Sequence, residues 1–133
     1  MTFKDMTVSQ FTQAVAKGSP TPGGGSVSSL IVSLSSALVG MVGTLTADRL
    51  QAKELSCENK DSKLEMILDM VNDAEELRIN FLALADEDAA AYDKVISAYR
   101  LPRNTEEEKK ARSLAIQDAF KDACLVPAKV VKL

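Results

Sequence analysis

Asp88 stands where helical spacing puts a carboxylate on an apolar stripe. Ile67, Ala74, Phe81, Asp88 and Val95 recur at seven-residue steps, beside a companion row of Leu64, Val71, Arg78, Ala85, Tyr92 and Tyr99. A carboxylate on such a stripe is costly unless it is paired or hydrogen-bonded, so it needs either a structural partner or a use. Both readings stay open. The first is an ion pair with a lysine or arginine of another helix, or with Arg78 of a partner chain. The second is a general base, or a stabiliser of a substrate cation. Asp86 lies about 200° around the same helix and points elsewhere, a second carboxylate candidate on a face shared with Ile79 and Leu82. Tyr92, one turn beyond Asp88, can hydrogen-bond to it or to a ligand, or stand as a core-edge tyrosine with a wet hydroxyl.

A binding element precedes these residues in the chain. Pro22, Gly23, Gly24, Gly25 and Ser26 follow Thr21, and an uncharged stretch then runs to Ala47. Bare glycine backbone lets a ligand approach closely, and Pro20 and Pro22 limit the loop's entropy. A helix that follows at once brings unpaired amides and a positive dipole end, which suit a carboxylate, a phosphate or a heterocycle edge. The competing reading is a plain helix-entry loop. Arg100 and Arg103 bracket Leu101-Pro102 and offer local positive charge for an anionic substrate, or serve as solvated loop residues.

Composition removes several chemistries. The 133 residues contain no histidine, which excludes imidazole zinc sites and histidine-based triads. Cys57 and Cys124 have neither disulfide-framework nor metal-ligand spacing, so no metal is expected. A net charge of -3 without a basic cluster argues against nucleic acid. The N-terminus Met1-Thr2-Phe3-Lys4-Asp5 is unlike a signal peptide, and a reducing cytoplasm is the expected compartment.

The elements that position these groups all read as helices. Thr7 and Gln10 form a capping box, Val8, Phe11 and Val15 share a face, and Gly18 marks the stop. After the glycines, Leu30, Leu34, Leu38, Met41 and Leu45 trace one stripe, and Ser29, Ser33, Ser36, Gly40 and Thr44 trace a second of small residues that admits a neighbouring backbone. The stretch is long enough to span a bilayer, but six serines from Ser26 to Ser36 favour a buried central helix, with no membrane partner. A polar turn is expected over Cys57 to Asp61. From Ser62 the pattern runs to Tyr99, about 57 Å of helix, whereas a compact chain of this length is only about 36 Å across. An elongated bundle or a homodimer follows. Thr105 and Glu108 cap a last helix with Ile116, Phe120 and Ala123 on its apolar face, and Pro127 is expected to kink or end it. The fold class is all-α, a single domain over residues 1–133.

Taken together, Thr21-Pro22-Gly23-Gly24-Gly25-Ser26, Ala85-Asp86-Glu87-Asp88-Ala89 and Arg100 to Glu107 resemble the cyclodeaminase/cyclohydrolase family. The resemblance implies an all-helical dimer acting on one-carbon tetrahydrofolates without a metal or bound prosthetic group. The implied reaction is hydrolysis of 5,10-methenyltetrahydrofolate to 10-formyltetrahydrofolate, or cyclisation of 5-formiminotetrahydrofolate with loss of ammonia. A catalytically inactive interaction module of the same fold is the alternative. By position, Asp88 is the expected base, with Asp86 next and Tyr92 orienting; the glycine run would grip the folate and Arg100 or Arg103 its glutamate tail. The chain carries Arg103 where the family usually has Lys, and Ala47-Asp48-Arg49-Leu50 where it has a Gly-Lys-Lys-like run. It also stops before the family's further C-terminal helices, which implies a truncated chain.

Overall fold

The capping residues mark real helix starts. In the computed structural model, which describes residues 2–52 and 58–132, the Thr7 hydroxyl accepts from Gln10 N at 3.2 Å while Gln10 Oε1 accepts from Thr7 N at 2.9 Å, opening α1 (Val8–Ala16). Gly18 follows with a φ of 71°, the left-handed conformation that favours glycine. The described residues hold three further α-helices, α2 (Gly24–Gln51), α3 (Lys60–Tyr99) and α4 (Glu106–Lys132), and no strand. The all-α expectation holds, and α3 is a single uninterrupted helix of 40 residues. Thr105 and Glu108 box the start of α4, with Glu108 N donating to Thr105 Oγ1 at 3.1 Å. The Cys57 end of the expected polar turn lies outside the described residues.

Packing divides the chain into two units, Met1–Ser29 with Leu82–Leu133, and Leu30–Phe81. In the first, Phe11, Leu84, Ala85, Val95 and Val126 are buried, and the Phe3 and Phe11 rings meet edge to face at 5.6 Å. Val8 and Val15 are exposed, so only Phe11 of the expected α1 stripe is core: a nine-residue helix buries one narrow line. Phe120 is also largely exposed, its ring edge-on to Tyr99 at 6.2 Å. Pro127 lies inside α4 and does not end it.

In the second unit the small-residue stripe of α2 meets a neighbouring backbone as its spacing leads one to expect, as far as Gly40, while Thr44 is exposed. The packed side of α2 is this stripe, not the leucines: Ser33 and Ser36 are buried, Ser33 Oγ donates to the Arg78 carbonyl at 2.9 Å, and a Cβ added at Gly40 would sit 4.0 Å from Ala74. Small side chains let the two helical backbones come close, and this contact leaves Leu34, Leu38, Met41 and Leu45 facing outward, each more than half exposed. The buried central helix is therefore not found within this unit. Arg78 is committed locally. It holds Glu75 through two 2.7 Å bonds; that hydrogen-bonded pairing keeps the Glu75 carboxyl below its ordinary value and raises Arg78.

Candidate functional site

Gly23 precedes the first turn of α2 and accepts the Val27 amide at 3.0 Å, yet as a glycine it has no side chain with which to cap that turn. Asp88, from α3, supplies the missing cap. Its Oδ2 accepts from the Ser26 amide at 2.8 Å and lies 2.9 Å from the Ser26 hydroxyl, the geometry of an N-cap provided by another helix. The anion that the α2 N-terminus attracts is thus the protein's own carboxylate. Glycine is needed for this approach at one position: a Cβ at Gly25 would overlap the Asp88 carboxyl group, while one at Gly24 would meet nothing within 4 Å.

Beside this seat lies a cleft of about 280 Å³, lined by Pro20, Thr21, Gly23, Gly24 and Gly25 on one side and by Asp88, Tyr92 and Ala123 on the other. Asp88 carries the only charge among the described residues that line it. Oδ1 of Asp88 receives no hydrogen bond among the described residues, so one oxygen of this cleft-lining carboxylate is anchored and the other is not. No lysine or arginine pairs with Asp88 among the described residues, and the Arg78 of the same chain is bound to Glu75. Such a site suits a cation, or a neutral group from which a proton is to be taken.

The structure separates the other candidates. Asp86 accepts from the Phe3 amide at 2.5 Å and so ties down the N-terminal segment, away from the cleft. Its placement two residues from Asp88 turns it to another side of α3, as the 3.6-residue period requires. Pro22 is buried and Ser26 is fully buried, and neither lines the cleft. Gly24, Gly25 and Ser26 belong to α2 itself, not to the loop before it. Arg100 and Arg103 are exposed beyond the end of α3 and do not line the cleft, Arg100 lying 12 residues, about 18 Å of helix, from Asp88. Tyr92 lines the cleft without bonding Asp88. Pro20, Thr21 and Ala123 line the cleft as well, beyond the residues that motif and spacing single out. The first two flank the glycines, which was signal enough to include them. Ala123 carried none, being one alanine on the apolar side of α4, though Pro127, four residues on, has no N–H to give its carbonyl.

A family model described as formiminotransferase-cyclodeaminase matches residues 7–133. The chain belongs to this family. It is 36% identical over 121 residues to a methenyltetrahydrofolate cyclohydrolase of Methylorubrum extorquens, an alignment covering 91% of this chain and 54% of that protein. It is 33% identical over 128 residues to the formimidoyltransferase-cyclodeaminase of Rattus norvegicus, covering 96% of this chain and 22% of the rat protein. Among solved structures, formiminotetrahydrofolate cyclodeaminase from Thermotoga maritima superposes with a TM-score of 0.72 at 29% identity, over 97% of this chain and 56% of that one. The chain thus spans about half the length of the cyclohydrolase and of the solved cyclodeaminase, and about a fifth of the rat formiminotransferase-cyclodeaminase family member.

Proposed function

We propose that this chain acts on a one-carbon tetrahydrofolate, either hydrolysing 5,10-methenyltetrahydrofolate to 10-formyltetrahydrofolate or cyclising 5-formiminotetrahydrofolate with release of ammonia. The observation that carries the reading is the half-anchored Asp88 carboxylate, without a basic partner among the described residues, in a cleft walled by glycine backbone. The methenyl substrate is an amidinium cation. A fixed anion beside its bridging carbon lowers the energy of the bound cation and takes a proton from the water that adds there, and the tetrahedral adduct then opens to the formyl product. In the ammonia-releasing reaction a related tetrahedral carbon forms, and the same carboxylate serves its proton transfers. Tyr92, which lines the cleft, serves as the orienting hydrogen-bonding residue.

As part of the same proposal the chain works as a cytoplasmic homodimer, without a metal or prosthetic group, as the family resemblance implies. The outward leucines of α2 support the dimer, because large contiguous apolar patches mark interaction surfaces. The same patch favours a second reading, an interaction module of this fold that has lost catalysis. The cleft is also near the lower limit of about 300 Å³ for ligand pockets. Thermal shift with a folate analogue separates the two. At roughly 100 times its dissociation constant the analogue adds about 2.7 kcal/mol to a folate enzyme and nothing to a module that does not bind it.

A further inference from the structure

The Ser26 hydroxyl has one hydrogen and two acceptors within reach, Asp88 Oδ2 at 2.9 Å and the Ala85 carbonyl at 3.0 Å. It is fully buried, so no water competes for that hydrogen. While Asp88 is ionised, the hydrogen goes to Oδ2, where a charge-assisted bond is the stronger choice. When Oδ1, the oxygen left to the cleft, has taken a proton, Oδ2 is a neutral acceptor, and the hydroxyl's hydrogen can stay on it or turn to the Ala85 carbonyl. The Ser26 amide cannot turn, and it fixes the carboxyl group in place throughout.

We propose that Ser26, rather than gripping substrate, is a positioning residue that holds Asp88 through both halves of its proton cycle, leaving Oδ1 to the cleft. This rests on the folate reading above. It adds that the glycine run serves the base as much as the ligand: Gly25 makes room for the carboxyl group and Ser26 follows its charge.

The test compares the whole wild-type chain with Ser26→Ala, Ser26→Thr and Ser26→Cys on methenyltetrahydrofolate, together with the Ser26 amide resonance in wild type and Asp88→Asn. In Ser26→Ala, kcat should fall by about 10- to 100-fold, the worth of a hydrogen bond to a charged group, with KM within about twofold. Ser26→Thr should restore kcat. Ser26→Cys, whose thiol is a weak donor, should not, and it stands in if the alanine variant does not fold. An unchanged kcat, a rise in KM alone, or failure of both the alanine and cysteine variants to fold overturns the assignment. Lack of turnover by the wild type overturns the folate reading and takes the catalytic role with it. In that case a Ser26 amide resonance that moves in Asp88→Asn still identifies the seat, and one that does not move removes the seat as well.

Discussion

The Asp88 carboxylate packs against the bare α-carbon of Gly25, so closely that the two could not coexist with a methyl group between them. Gly25→Ala should therefore lift the carboxyl group off Ser26, lowering stability by roughly 1–3 kcal/mol as overpacked sites do and abolishing turnover. Calorimetry and a methenyltetrahydrofolate assay on the same preparation check both. A fully active, equally stable variant would mean that Asp88 does not sit in this seat.

Gly24 is the control. A side chain there meets nothing within 4 Å but projects from a residue that lines the cleft, so Gly24→Val should weaken folate binding while leaving the melting temperature nearly unchanged. Equal losses of affinity and melting temperature would return the glycine run to a plain helix-entry role.

The long helix, and the place of Asp88 on its inward row, were legible in the sequence because each rests on local rules. A 3.6-residue period without Gly or Pro specified α3, and the capping boxes at Thr7 and Thr105 specified two helix starts. What spacing left open was which of two stripes on α2 packs within its unit. Leucines at Leu34 and Leu38 and serines at Ser33 and Ser36 have the same period, and hydrophobicity favours burying the leucines, whereas close backbone approach in this unit buries the serines. Sequence spacing also could not tell that the anion for the α2 N-terminus comes from α3. That is a contact between residues 62 positions apart.

Two glycines of α2 that face α3 make a contrast within the second unit. A Cβ at Gly43 would come 2.5 Å from Val71 Cγ2, a branched side chain with little freedom to move, whereas one at Gly40 would rest at 4.0 Å from Ala74. Gly43→Ala should cost roughly 1–3 kcal/mol. Gly40→Ala should be neutral, or stabilising by up to about 1 kcal/mol, because alanine is the better helix former. Denaturant melts of the two variants measure the difference, and equal stabilities would contradict the close packing.

Asp88→Asn should keep the fold and lose the chemistry. Asparagine caps a helix about as well as aspartate, so the bonds to Ser26 survive, but it can neither take a proton nor balance a substrate cation. A drop in kcat of about 10²- to 10⁴-fold with unchanged helicity by circular dichroism is the expected outcome. A near-wild-type rate would leave Asp88 as a structural cap alone.

Leu34 tests what covers α2. It is 59% exposed in the second unit, so Leu34→Glu removes little packing there, and glutamate is as good a helix former as leucine. Leu45→Glu, at 52% exposure, is a second substitution of the same kind. If a second copy covers this face, each substitution buries a charge against apolar neighbours, and sedimentation should show a wild-type dimer becoming a monomer of unchanged helicity. Ser28→Glu, an exposed position outside that unit, should leave the dimer intact. A wild type that stays monomeric at all concentrations rules out the homodimer. One that stays in solution only with detergent would return α2, which is long and apolar enough to cross a bilayer, to the membrane reading that its serines argued against.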